Sequence, residues 1–132
     1  MARKIKVDAL RREVEKALDT YMDDVILATK ESVDEIAKET VKVIKNKAPV
    51  GKGDRKGKYK RNIKQRTVRE SLTTKKRVVY GDDGEYRLTH LLENGHAKIN
   101  GGRTNAFPHW KYGDEYIKEE LPKRIEKKLG GK

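Results

Sequence analysis

Forty residues near the N-terminus, 8–47, contain neither glycine nor proline, and this run restricts the fold more than any other feature of the chain. Apolar or small side chains recur in it at three- and four-residue spacing, which predicts one long α-helix or two collinear ones. They are Leu10, Val14, Ala17, Tyr21, Val25, Ala28, Val33, Ile36, Val41 and Ile44. At 1.5 Å per residue the helix would be about 60 Å long, so that it must project beyond a small domain, pack along a neighbour or pack partly on its own hairpin. Ser32 interrupts the apolar stripe near its middle and would permit a bend there.

The rest of the chain predicts a small antiparallel sheet and further helices, which makes the fold class α+β. The predicted segments are a basic Gly/Pro loop over 48–60, a β-hairpin and a short helix over 61–94, a glycine-containing loop over 95–112 and a C-terminal helix over 113–129. Pro49 ends the first helix, because its ring disfavours helical geometry at the preceding residue. Leu72 begins the second arm of the hairpin, and Pro122 predicts a kink or a restart in the C-terminal helix. All of these segments are expected to form a single domain over 1–132.

The positive charge of the chain is concentrated in one quarter of its length. The formal net charge is +12, and residues 47–80 alone contain thirteen Lys or Arg against two Asp or Glu. The segments on either side are nearly neutral. Such a concentration of cations is typical of a surface that meets DNA or an acidic protein, although it is also found on ordinary solvated surfaces. The candidate contacts are Lys52, Arg55, Lys56, Lys58, Lys60 and Arg61.

The composition excludes several classes of protein. There are no cysteines, so that disulfide frameworks and cysteine-based zinc sites are excluded. Apolar residues are 34% of the chain and charged residues 41%, which predicts a thin core that neighbouring subunits complete. No apolar run approaches the roughly 18–20 residues of a membrane span, and none follows the basic N-terminus as in a secretory signal. We therefore expect a soluble protein that is made in the cytoplasm and has no membrane contact.

All three histidines and the only tryptophan lie between residues 90 and 110. This region has two possible interpretations, a metal or catalytic site or a packed structural segment. His90 and His96 are six residues apart, and His109 is thirteen further, so that no H-x-x-x-H or H-E-x-x-H motif occurs. Two side chains six apart on a helix point to different faces. Nucleophilic catalysis has no better support, because neither Ser32 nor Ser71 lies in a G-x-S-x-G context. We expect no enzymatic activity, no metal and no cofactor.

Three stretches in this region resemble the signature of a known family. They are LTHLLENGHAK at 88–98, NGGR at 100–103 and FPH at 107–109, and they look like the bacteriophage head–tail joining proteins, the small neck or tail-completion proteins of tailed phages. Upstream, 47–62 resembles the family's second motif, although Arg55 and Lys56 stand where a threonine usually precedes the glycine. The resemblance covers about residues 40–110. The signature residues are His90, Leu91, Leu92, Glu93, Gly95, His96, Gly101, Gly102, Arg103, Pro108 and His109.

The resemblance implies a structural virion protein that acts at the head–tail junction as a subunit of a ring-forming connector. The implied partners are other neck, connector or tail proteins, further copies of the chain and the packaged DNA. In that role the signature residues would serve folding and assembly, with the histidines as hydrogen-bonded structural groups. The residues also leave open an alternative, a small basic DNA-binding protein that uses residues 47–80.

Overall fold

The predicted N-terminal helix, α1, extends without interruption over Val7–Lys47. The computed structural model describes residues 7–50, 56–82 and 84–130. The elements that follow α1 are α2 (Lys58–Arg61), β1 (Ile63–Glu70), β2 (Lys75–Gly81), a 3₁₀ turn (Glu85–Leu88), α3 (Thr89–Asn94) and α4 (Trp110–Lys128). A long helix, a two-stranded antiparallel sheet, a short helix and a C-terminal helix confirm the predicted α+β class.

The two halves of α1 differ sharply in burial. Every side chain over residues 7–24 is exposed. From residue 28 onward the helix buries one side chain at each fourth position, namely Ala28, Ser32, Ile36, Thr40 and Ile44. Ser32 does not end the helix, and its small side chain is fully buried within this line. The first half therefore projects beyond the domain, and the second half is the floor on which the other elements pack.

The hairpin pairs β1 with β2 in the register Ile63 with Gly81 through Glu70 with Lys75. The pairing is irregular between Thr67 and Arg69, as in a β-bulge. Residues 72–74, predicted as the start of the second arm, belong instead to the turn. The Ser71 hydroxyl accepts the backbone N–H of Thr74 at 3.1 Å, and the Ser71 N–H donates to the Thr74 carbonyl at 2.9 Å. A serine that bonds its neighbouring backbone in this way competes with strand pairing.

Two further boundaries differ from the predictions, and one of the two alternatives predicted at Pro122 is excluded. The last residues of the predicted basic loop form the helical turn α2 instead. Gly57, which precedes this turn, has a left-handed conformation with φ 75°. The C-terminal helix begins at Trp110 rather than at residue 113, because a distant carboxylate caps it, as described below. Neither does it restart at Pro122, since α4 continues through that residue.

The second half of α1 lies between the hairpin on one side and α4 on the other. Lys75 of β2 forms an ion pair with Asp34 at 2.7 Å. α4 runs antiparallel to α1, because Gly113 contacts Ile44 at one end and Lys128 pairs with Glu35 at the other, at 2.6 Å. Within the described ranges the buried apolar residues are Ala28, Ile36, Ala37, Ile44, Ala48, Tyr59 and Ile63, which agrees with a thin core. No helix in those ranges has both the length and the apolarity to cross a bilayer.

Candidate functional site

The N-terminus of α4 is capped by the side chain of Glu93, from α3. Its carboxylate accepts the backbone N–H groups of His109 at 2.8 Å, Trp110 at 3.0 Å and Lys111 at 3.1 Å. The first N–H groups of a helix have no partner within the helix, and the helix dipole favours a negative charge there. Burial raises the pKa of Glu93, but the three backbone hydrogen bonds outweigh it, and the net shift is downward. The cap therefore fixes where α4 begins and joins it to α3.

A chain of side-chain hydrogen bonds passes through the buried imidazole of His109. Nδ1 lies 2.7 Å from the carbonyl oxygen of Phe107, which can only accept, so that Nδ1 carries the proton. Nε2 is then free to accept the hydroxyl proton of Tyr59 at 2.6 Å. The Tyr59 oxygen in turn accepts the indole N–H of Trp110 at 2.9 Å. Both nitrogens of His109 thus have hydrogen-bond partners, and the chain joins α2 to the start of α4.

The loop between α3 and α4 folds back on Gly95. This glycine is buried at φ 72°, and a Cβ there would lie 2.6 Å from the carbonyl oxygen of Thr104. The backbone N–H of His96 donates to the Thr104 hydroxyl at 2.9 Å, and Arg103 donates to the Gly95 carbonyl at 3.3 Å. Only glycine combines this φ with so close a backbone approach.

The remaining signature residues are distributed around this cluster. Leu92 packs against the core, Leu91 is half-buried, Gly101 and Gly102 turn the loop with positive φ, and His90 and Pro108 are exposed. The structure thus brings together Glu93, Gly95, Arg103 and His109, and leaves His90 outside. In the part of the chain that is described, no group of three His, Asp or Glu side chains is placed to hold a metal ion. The Glu93 cap and the hydrogen bonds among Tyr59, His109 and Trp110 hold α2, α3 and α4 against one another. We call these contacts the brace.

The basic segment does not present all six predicted cations on one surface. Lys52 and Arg55 lie outside the described residues. The side chain of Lys58 is directed toward the buried Glu85, with Nζ 3.6 Å from a carboxylate oxygen, and Lys60 is half-buried. Lys56 and Arg61 are exposed, and the guanidinium of Arg61 donates to the Lys56 carbonyl at 3.1 Å.

The hairpin has four exposed cations that were not among the predicted contacts: Lys64, which is paired with Asp82 at 2.9 Å, and Arg66, Arg69 and Lys76. Its other two cations on β2 are occupied within the protein, because Lys75 and Arg77 both bind Asp34, at 2.7 and 3.2 Å. Alternation does not identify this set, because Arg66 and Arg69 are three residues apart and every residue from Arg66 to Glu70 is exposed. We call Arg66, Arg69 and Lys76 the hairpin cations.

An open apolar groove of about 490 Å³ lies between β2 and α4. Its floor is the second half of α1, at Val33, Ile36 and Ala37, and its walls include Val79 of β2 and Ile117 and Leu121 of α4. Lys76 and Arg77 line its hairpin side and Asp114 its α4 side. The thin core of the domain is therefore open along one side.

The sequence matches the family model described as "Bacteriophage HK97-gp10, putative tail-component" over residues 8–95. The matched range is about two-thirds of the chain and includes α1, the hairpin and α3. The chain belongs to the HK97-gp10-like family. No curated protein and no solved structure matches it. Membership confirms the predicted resemblance to phage head–tail proteins and makes the chain a phage structural protein that acts in morphogenesis.

The match of this HK97-gp10-like chain ends at Gly95, so that the family range contains Tyr59 and Glu93 but not their partners at the start of α4. The sequence identified Glu93 and His109 as candidate residues but gave no indication of Tyr59. It also missed Gly113, where a Cβ would lie 2.6 Å from the Ile44 side chain. The helix was predicted to begin at Gly113, so that this glycine gave no signal; only in the observed helix, which begins at Trp110, does it lie where a glycine is unfavourable unless packing requires it.

Proposed function

We propose that this HK97-gp10-like protein is a non-enzymatic subunit of the phage neck, where copies of it form a ring that joins head to tail or completes the tail. The observation that carries the proposal is the first half of α1. It exposes Leu10, Val14, Leu18, Tyr21 and Met22, each by at least half of its surface, along some 18 residues whose side chains are all exposed. Apolar surface of that extent is typical of a contact between proteins.

The use of the signature residues also supports a structural role. The polar groups that resembled catalytic residues are engaged in the fold, since Glu93 caps α4 and both ring nitrogens of His109 have partners. A general acid or base needs a polar atom within reach of a substrate. His109 is fully buried, so that it offers none.

The test is a phage in which the gene for this protein is interrupted near its start. We expect filled heads and separate tails in electron micrographs, and restoration of joined particles when the intact protein is supplied in trans. The protein should also be detected in purified wild-type particles. Infectious, tailed particles produced without the protein would refute the proposal.

A second candidate, DNA binding, is favoured by the hairpin cations, which are exposed on one element of net positive charge. In the neck they would face packaged DNA or an acidic partner surface. Binding to duplex DNA should weaken steeply as salt rises, because released counterions drive such contacts. Changing Arg66, Arg69 and Lys76 to Gln should abolish it.

The matched control changes three lysines of α4 to Gln, namely Lys118, Lys123 and Lys127, which are exposed and carry the same total charge. Equal loss of DNA binding in both variants would mean that net charge alone is responsible. No binding by the unmodified protein at low salt would exclude DNA as a partner of the hairpin.

A further inference from the structure

The buried face of α1 continues beyond the domain as an exposed apolar stripe. Leu10, Val14, Leu18 and Tyr21 follow one another at three- and four-residue spacing, and each is 50–58% exposed. They lie on the side of the helix that, further along, is buried against the hairpin and α4 at Ala28 and Ser32. We call these four residues the arm stripe. One face of α1 therefore has two stretches suited to burial, and only the second stretch is buried by the rest of its own domain.

The groove between β2 and α4 has the length that such a stripe requires. Its floor runs along α1 from Val33 to Ile44, which is about 16 Å at 1.5 Å per residue. The arm stripe from Leu10 to Tyr21 also spans eleven steps of the helix and hence the same length. Both surfaces are apolar and both are open in the isolated chain.

The stripe cannot enter the groove of its own chain. The groove floor and the arm stripe belong to one uninterrupted helix, Val7–Lys47, so that the arm points away from the floor along the same axis. A straight helix cannot fold back on itself without a break. Occupation of the groove by this stripe therefore requires a second copy of the chain.

Charge favours the same pairing. The arm over residues 7–24 contains six acidic residues and three basic residues, whereas the hairpin over 63–81 contains six basic residues and one acidic residue. Lys76 of the hairpin lines the groove. An acidic helix laid beside a basic hairpin is attracted to it, whereas two arms laid side by side would repel each other.

We propose that the arm stripe of one copy docks in the β2–α4 groove of the next copy. The contact is heterologous, with two different surfaces, so that repetition builds a closed ring or a filament. This inference rests on the proposed function, because it names the interface through which the neck subunits would associate. It also completes the thin core, since the apolar stripe on a neighbour's helix covers the side that the domain leaves open.

Disulfide trapping tests the contact directly, and the natural chain offers a clean background because it contains no cysteine. A chain with Leu18→Cys is mixed with a chain of different length that carries Ile117→Cys, and the mixture is oxidised. The same pair is examined in particles assembled with both chains. We expect the mixed disulfide as the main product. Lys76→Cys is a second groove variant, at an exposed position where substitution leaves the core intact.

Leu27→Cys provides the matched control for the arm. Leu27 is as exposed as Leu18, at 58%, but lies nine residues further along α1 and thus on the opposite side of the helix. It should give at least about tenfold less mixed disulfide with either groove variant. In addition, Leu18→Asp should weaken self-association at least about tenfold, which corresponds to about 1.4 kcal/mol.

Several outcomes would overturn the inference. The first is that Leu27→Cys gives as much mixed disulfide as Leu18→Cys. The second is that most disulfides join two Leu18→Cys chains, which indicates paired arms. The third is that Leu18→Cys is trapped only with another virion protein. If the protein is present in particles but gives no arm–groove disulfide there, the docking contact is wrong while the proposed function stands. If the protein is absent from particles, the proposed function is wrong whatever the disulfides show.

Discussion

Replacing Tyr59 with phenylalanine removes one oxygen atom and breaks the hydrogen-bond chain of the brace in two places. Trp110 loses the acceptor of its indole N–H, and the buried His109 loses the donor to Nε2. A buried polar group left without a partner costs about 1–3 kcal/mol, so that two of them should lower the free energy of unfolding by about 2–4 kcal/mol. That is a large part of the roughly 5–15 kcal/mol available to a domain, and corresponds to a fall in Tm of about 10 °C.

Urea denaturation followed by fluorescence measures this loss at the site itself, because Trp110 is the only tryptophan. Tyr21→Phe is the matched control, since it removes the same oxygen atom from a side chain that is 58% exposed. Its free energy of unfolding should stay within about 0.5 kcal/mol of the unmodified protein. If Tyr59→Phe is equally silent, the hydroxyl does not join His109 to Trp110 and the brace is wrongly described.

Three further predictions concern packing, loop geometry and pH. Gly113→Ala should lower the free energy of unfolding, measured in urea, by about 1–2 kcal/mol. The new Cβ would lie 2.6 Å from the Ile44 side chain, and the cost of this overpacking exceeds the gain in helix propensity. Stabilisation by the substitution would contradict the close contact. Gly95→Ala should cost about 2 kcal/mol or more, and clearly more than Gly101→Ala, whose positive φ lies in open space, in the same assay. Hydrogen bonds from Arg124 and Tyr116 lower the pKa of Glu39 to about 2, so that its stabilising contribution, complete above about pH 4.5, is lost as pH falls toward 2; Tm should fall over this range, and should fall less in Glu39→Gln.

The sequence predicted those elements whose cause is local. The bounds of α1 follow from the absence of Gly and Pro and from a stripe of period 3.6, and the hairpin follows from alternation and β-forming residues. The start of α4 was predicted three residues late, because its cap comes from Glu93, some sixteen residues earlier in the chain. Likewise, Ser71 draws residues 72–74 into a turn by hydrogen bonds that a count of β-formers does not register.

The brace could be predicted only in part, because its bonds join distant positions. The signature included Glu93 and His109, but the partner of His109 is Tyr59, fifty residues away. Ser32 is the converse case. It was read as a gap in an apolar stripe, whereas its small size suits a fully buried position within the line of side chains on which the domain packs. The small size of Ser32, and not its polarity, decides that it is buried. Which of these two properties decides can be seen only from the side chains packed around it.

The uninterrupted helix α1 has a consequence for how copies would be oriented. Because no hinge separates the arm stripe from the groove floor, the angle between the two is set by helical phase alone. Inserting one residue ahead of Val25 would rotate the stripe by about 100° about the axis and misdirect it. Inserting seven residues would return it to within about 20° and lengthen the arm by about 10 Å. Relatives of this protein should therefore tolerate length changes in the arm mainly in steps of about two helical turns.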